Sequence, residues 1–358
     1  MSIPQETISK RLSKLRHHMK LEGIDLFVLQ SRYNISYFCG LENISGHLFV
    51  TQVGKPVFYV IDKQLRQALD LGSIAVQVVR GQPDYEDQLF NEVAQELGGS
   101  KNIAFDLLDI ANYQKMVERL GILPVLGGSI IRSIQRFYDS NELEMVRRAA
   151  SIADAGFEAA RQTLRPGVRE LEVLGQMQYT FRKEGSEWDS FRVFGSGLAS
   201  AYSEALPTNR VIKRGDMVFI DIGPIYKGYR ADITRTYIVG EPSAEQRRIL
   251  DSLVDVELNA IGLAKVGKKA YELDAQVRKL VTDRGFNDYL HHTGHALSGS
   301  FEIVPNSQTL LECNDVICLE PGIYVPGIGG GRIEDEILLM DNSVEILSHT
   351  SRDPYLCV

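Results

Sequence analysis

The sequence predicts a two-domain protein, an α/β amino-terminal domain over residues 1–135 followed by an α+β domain over residues 136–358. Three observations carry that prediction. The chain has 358 residues, and about 150 residues per domain makes two the first expectation. Its first half alternates short apolar runs with amphipathic stretches, the pattern of helices packed on a sheet. Its second half carries long amphipathic helices separated by strand pairs, and carboxylates interrupt two of those strands. At 44% hydrophobic and 24% charged, the composition is that of a globular chain and argues against disorder.

Taken in order, Ile8 to Met19 places Ile8, Leu12, Leu15 and Met19 at helical spacing, and Gly23 ends that helix. IDLFVLQ follows as a continuously apolar run of the kind found in buried strands. HLFVT, PVFYVI, AVQVV and NIAFD read as further strands, with helical stretches near Lys63–Leu71 and Asp84–Leu97. This half contains no glycine-rich phosphate loop and no cluster of metal-type residues. A boundary falls near residues 133–140, where a long helix begins with Asp139 and Glu142 in capping-box register. Its apolar stripe runs Leu143, Val146, Ala150, Ala153, Phe157. A second helix starts after Pro166-Gly167, and a third opens with Ser243 and Gln246 in capping-box register. A fourth runs from about Tyr271 to Asp283, before Gly285. Strand pairs lie between and after these helices, which are expected to pack on one face of a sheet.

Charge and cysteine content narrow the function classes. Lys and Arg total 39 against 47 Asp and Glu, a formal net charge of −8, which disfavours nucleic acid or an anionic membrane as partner. Cys39, Cys313, Cys318 and Cys357 are too few and too scattered for a disulfide framework. Cys313 and Cys318 flank an apolar segment and read as packing residues. The opening MSIPQETISKRL lacks a signal-peptide apolar stretch, and no apolar run approaches the roughly 18–20 residues that span a bilayer. The expectation is a soluble, cytoplasmic protein.

The chemistry is concentrated in two segments. In MVFIDIGPIYKGYRADITRTYIV, Asp221 sits inside a strand and Asp232 follows eleven residues later in a second strand-like run. In DVICLEPGIYVPGIGGGRIEDEILLM, Glu320 ends an apolar strand, and Glu334 is expected in the returning strand after a glycine-rich turn. His295 adds an imidazole in YLHHTGHALSG. A single acid in a strand is ordinarily solvent-facing or ion-paired. Ionised carboxylates in core strands are costly unless paired or bound to metal. Two hairpins of one design plus a histidine therefore point to a hard, mainly oxygen metal site, suited to Mn, Co, Fe or Zn. Four negative charges balance two divalent ions, so two ions are expected rather than one. The matched hairpins also hint at an internal duplication.

Asp221, Asp232, His295, Glu320 and Glu334 resemble, in order and local spacing, the metal ligands of the pita-bread metallopeptidases. That family includes prolidase, Xaa-Pro aminopeptidase, methionine aminopeptidase and the metal-free creatinases. DIGPIYKGYRADITRTY, HHTGHALSG, LEPGIY and GRIED are similar to its blocks. GIDLFVL and SRYNISYFCGLENISG are similar to the amino-terminal domain of the prolidase and creatinase branch. The resemblance implies a pita-bread catalytic domain, hydrolysis of a peptide bond preceding proline, and a homodimer. It implies that Asp221 binds one metal, that Asp232 and Glu334 bridge the pair, and that His295 and Glu320 complete the shell of the second metal. A bridging water would attack the scissile carbonyl, with Glu320 as proton acceptor. His291 matches a histidine near the substrate pocket, the alternative being a solvent-facing loop histidine. His292 stands where the family usually has glycine and has no assigned role. Arg332 is expected to brace Glu334 or its neighbours electrostatically.

The sequence also departs from the family pattern. Ser203-Glu204 replaces Pro-His, and Glu302-Ile303 replaces His-Glu. Those family histidines hold the substrate carbonyl and help pass a proton to the leaving amine. Three readings of Glu204 and Glu302 stand open. Burial beside other acids raises their pKa so that they act as proton donors; they are ionised and recognise a cationic group on a small amine-bearing substrate; or the loops have drifted and peptidase activity is weak. The resemblance to prolidases implies an arginine between the histidine block and the first glutamate block that binds a dipeptide's free carboxylate, yet Phe301 to Cys313 contains no Arg or Lys. That weakens strict dipeptidase specificity in favour of an aminopeptidase or another amide hydrolase. A metal-dependent hydrolase or lyase of a small cationic metabolite is the second function reading, and a non-catalytic binding protein of this fold the third.

Overall fold

The structure, a computed structural model, describes residues 3–40, 46–61, 75–79, 93 and 102–355. The helices expected near Lys63–Leu71 and Asp84–Leu97 lie outside those residues, Val93 apart. The chain divides into two compact units, Met1–Gln135 and Arg136–Val358.

In the first unit, α1 (Gln5–Glu22) leads through Gly23, in the left-handed conformation at φ 67°, into β1 (Leu26–Leu29). The elements α2 (Arg32–Cys39), β2 (Gly46–Thr51), β3 (Val57–Ile61), β4 (Ala75–Val79) and β5 (Ile103–Phe105) follow. After them come α3 (Ile110–Leu120), β6 (Val125–Leu126) and α4 (Gly128–Ile134). The strands form one mixed sheet in the order β4-β3-β2-β1-β5-β6. Strand β1 is apolar throughout because both of its faces are covered. Phe27 and Leu29 join the helix α1 residues Ile8, Leu12, Leu15 and Met19 in one core, while Leu26 and Val28 join Phe105 and Met116 in another. Helices α2 and α4 are too short to display an apolar stripe in the sequence, which is why the pattern did not announce them.

The second unit begins with α5 (Ser140–Thr163). Its Asp139 carboxylate accepts from the Glu142 amide at 3.0 Å, and Glu142 accepts from the Asp139 amide at 2.9 Å. Next come α6 (Glu170–Lys183), β7 (Trp188–Ser196), β8 (Met217–Tyr226), β9 (Tyr229–Arg230) and β10 (Ile233–Ile238). The pattern then repeats with α7 (Ala244–Leu263), α8 (Ala270–Asp283), β11 (Gly294–Ala296), β12 (Glu302–Ile303) and β13 (Val316–Leu319). The chain closes with β14 (Gly322–Val325), β15 (Gly329–Arg332), β16 (Asp335–Met340) and β17 (Ser343–Ile346). The second helix of each pair begins alike: Glu172 accepts from the Arg169 amide at 2.8 Å, and Glu272 from the Lys269 amide at 3.0 Å.

One sheet runs β10-β8-β7, with β9 paired to β8, and another runs β12-β11-β13-β16-β17. Period-2 alternation in β8 sends Val218, Ile220 and Ile222 into the core with Phe157 and Phe181 of α5 and α6, leaving Asp221 on the opposite face. The sheets meet where Thr234 and Glu334 form an isolated bridge. Glycines permit the close approach of β15: a Cβ at Gly331 would clash with the Thr236 side chain, and one at Gly330 with the Ile323 carbonyl.

Two expected strand placements need correction. Asp232 lies just before β10 rather than within it, and Glu334 lies in the break between β15 and β16 rather than in a continuous returning strand. Glu320 likewise stands between β13 and β14. Strand β13 pairs with β16, whereas β14 pairs with β15. The pairings are nested, so the segment remains one hairpin, divided into an outer β13–β16 pair and an inner β14–β15 pair and bent at both acids.

Candidate metal centre

Strand pairing assembles the acids. Asp221 on β8 lies opposite Thr234 on β10, and Thr234 in turn bridges to Glu334. The Thr234 hydroxyl donates to Glu334 Oε2 at 2.7 Å, and the Glu334 amide donates to the Thr234 carbonyl at 3.0 Å. The Asp232 amide donates to Glu336 Oε1 at 2.6 Å. His295 on β11 places Nε2 at 3.3 Å from Glu320 Oε1 and 3.5 Å from Asp232 Oδ2. The five residues picked from the sequence therefore converge. Asp221, Asp232, Glu320 and Glu334 are all buried, and His295 is largely so.

Arg332 is the cation in this group. Its Nη2 donates to Asp221 Oδ2, its Nε lies 3.5 Å from Glu320 Oε2, and its Nη1 donates to the Ser203 carbonyl at 2.8 Å and to the Tyr324 hydroxyl at 2.9 Å. It braces Asp221 and Glu320 directly; Glu334, the partner named first from the sequence, feels only its charge.

One guanidinium does not neutralise four carboxylates, and the titration behaviour records the imbalance. Burial pushes Asp221 up to about 6, against the pull of Arg332 and with help from Glu320. Burial and the neighbouring acids also raise Asp232 and Glu334 well above the carboxylate range. Glu320 goes the other way: burial opposes ionisation, but His292, with His291 and His295, holds it down at about 2. Asp221 Oδ1 and Glu334 Oε1 are buried without a hydrogen-bond partner. Such orphaned oxygens in an acid cluster fit cations as the absent partners. His295 fits as well, because its Nδ1 faces the Ala296 carbonyl at 2.9 Å, which leaves the Nε2 lone pair aimed at the acids. Donor atoms of Asp221, Glu320 and Glu334 form one group within 4.8 Å of one another, and those of Asp232, His295, Cys318 and Glu334 form a second.

The remaining candidates take different places. His291 is buried at 8% exposure, which corrects the solvent-facing alternative; its Nε2 lies 3.9 Å from Glu320 Oε2. Glu204 and Glu302 are exposed, so the burial on which a proton-donor role would depend is not found in this unit. Glu302 nevertheless pairs across from His295 in the β11–β12 ladder, on the same face. Glu204 follows Ser203, whose carbonyl is pinned by Arg332.

Sequence reasoning missed four contributors. Thr234 and Glu336 stand two residues beyond Asp232 and Glu334, so strand periodicity could have found them. Cys318 packs in an apolar cluster as expected, yet its thiol also joins a donor group; burial and the surrounding acids keep that thiol protonated, which suits packing. His292 had no sequence signal beyond its departure from the resembled motif, yet its Nε2 lies 2.9 Å from Glu320 Oε1.

Comparison with known proteins bears on the whole chain. Residues 144–341 match the model of metallopeptidase family M24, and residues 11–132 match the creatinase/prolidase N-terminal domain. The Xaa-Pro dipeptidase of Pyrococcus furiosus is 29% identical over 352 residues, covering 97% of this chain and 99% of that protein. Among solved structures, an Xaa-Pro dipeptidase from Bacillus anthracis superposes with a TM-score of 0.87 at 30% identity, over 97% of this chain and 99% of that one. A prolidase from Pyrococcus horikoshii gives 0.86 at 28% identity, over 96% and 99%.

Proposed function

Because this chain belongs to metallopeptidase family M24, we propose that it is a metal-dependent hydrolase cleaving the bond that precedes proline in small peptides, with two divalent ions at its acidic centre. The observation that carries this reading is the convergence of Asp221, Asp232, His295, Glu320 and Glu334 in two donor groups that share Glu334, largely buried and with orphaned carboxylate oxygens. In this reading Asp221 would hold one ion, His295 and Glu320 the other, and Asp232 and Glu334 would serve both. The donor set suits Mn, Co, Zn or Fe. Bound there, the ions polarise an amide carbonyl and lower the pKa of water.

The protein's own groups do the rest. Glu320 is ionised and within 3.9 Å of three imidazoles, so it is the proton acceptor of this reading. Arg332 contacts both Asp221 and Glu320 and holds them in place, while Thr234 fixes one oxygen of Glu334 and leaves the other free. His291, Glu204 and Glu302 are assigned to the substrate. A second reading has its own support: two exposed carboxylates at the margin, Glu204 and Glu302, favour a substrate bearing an amine. A cytoplasmic homodimer completes the proposal, in keeping with the free cysteines Cys39, Cys313 and Cys318. Among the described residues no helix is long and apolar enough to cross a membrane.

The test is a substrate panel for the Mn-loaded protein: Xaa-Pro dipeptides, Xaa-Pro-Yaa tripeptides, the same peptides without proline, and amine-bearing amides. Turnover confined to proline peptides supports the reading. Turnover confined to the amine-bearing amides replaces it with the second.

A further inference from the structure

Beyond the acidic centre, the donor atoms of His291, His292 and Glu320 form a third group within 4.8 Å of one another. We propose that these three residues make a weaker third cation position of imidazole character, sharing Glu320 with the acidic centre and selective for Zn²⁺ and comparable borderline ions, whose occupancy engages Glu320 and slows turnover. The slowing rests on the metallopeptidase reading given above; the binding does not.

Four features of the geometry support it. Donors bound to one tetrahedral Zn²⁺ at about 2.0–2.1 Å stand about 3.3 Å apart. Here His292 Nε2 lies 2.9 Å from Glu320 Oε1, and His291 Nε2 lies 3.9 Å from Glu320 Oε2, on either side of that spacing. His291 is prepared as a ligand in the same way as His295. Its Nδ1 faces the His292 carbonyl at 3.0 Å, so the ring N–H is engaged there and the Nε2 lone pair faces the carboxylate. The two rings meet edge to face with centroids 4.6 Å apart, which brings both imidazoles to one carboxylate. The His292 side chain is 31% exposed, so the position opens to solvent, whereas the other two side chains are buried.

Selectivity follows from the ligand types. The acidic centre offers mostly oxygen, which accepts Mn²⁺. Two imidazoles and one carboxylate instead favour Zn²⁺, Co²⁺ or Ni²⁺ over Mn²⁺. His291 and His292 are absent from the two acid-rich donor groups, so filling the acidic centre leaves both imidazoles available. An ion at the third position takes a Glu320 lone pair, and that is the pair needed to accept a proton.

Equilibrium dialysis of chelator-treated protein against Zn²⁺ alone, with metal counted per chain, tests the proposal. Wild type, His292→Gly, His291→Gln and Glu334→Gln are compared. The expected result is two tight ions and one weaker ion in wild type. The weaker ion should bind on the order of 100-fold less well in His292→Gly and His291→Gln, with the two tight ions retained. Mn²⁺ should give two in wild type and in both histidine variants. Excess Zn²⁺ should inhibit Mn-loaded wild type and lose that effect in His292→Gly. A wild type that binds no third Zn²⁺, or a third ion of unchanged affinity in both histidine variants, overturns the proposal. Loss of tight ions in Glu334→Gln with the weaker ion kept supports both readings. Unchanged tight binding in Glu334→Gln overturns the acidic-centre reading and leaves the third position standing.

Discussion

At the scale of single residues, the site works through charge that its own side chains do not balance. Asp221, with a pKa pushed up to about 6, carries a proton below that pH in the metal-free protein. Metal binds only the ionised form, so affinity should fall as pH drops through about 6, by about tenfold per pH unit for each proton displaced. Calorimetric titration in buffers of different ionisation enthalpy should register proton release at pH 5.5 and less of it at pH 7.5. Equal release at both would contradict a proton on Asp221 below pH 6. Arg332 holds two of the acids in place, so Arg332→Ala should weaken metal binding by about 10–100-fold without removing a ligand; dialysis against Mn²⁺ measures it. The acids were legible in the sequence because carboxylates in apolar strands are chemically out of place. His292 and Ser203 were not, because their roles come from contacts across 28 and 129 positions of chain, with Glu320 and Arg332.

At the scale of elements, local signals proved readable and bends did not. Capping residues located the starts of α5 and α7 because an N-cap and its partner three residues on are a local pair. The breaks at Glu320 and Glu334 arise where strands leave one partner for another, and nothing local marks that change. Helix α5 packs on α6 through Gly156, where any Cβ would clash with the Phe181 ring. Gly156→Ala should therefore destabilise the fold by about 1–3 kcal/mol through overpacking, despite alanine's better helix propensity. Urea unfolding gives the value, and a stabilised variant would mean the helix pair is looser than described. Asp139→Ala should cost about 1 kcal/mol by removing the cap.

At the scale of the whole molecule, the acid excess has a different meaning from the one its total suggests. Asp221, Asp232, Glu257, Glu320, Glu334 and Glu336 are all buried, so part of the net charge of −8 belongs to the interior. Ions at the centre should accordingly stabilise the fold. At 100 times the dissociation constant a single site contributes about 2.7 kcal/mol, so chelation should lower the melting temperature and Mn²⁺ should restore it. The most direct measurement is hydrolysis of an Xaa-Pro dipeptide by chelator-treated protein titrated with Mn²⁺. Activity should be negligible without metal and rise to a plateau as two ions bind per chain. Full turnover without metal, or none once two ions are bound, would contradict the account.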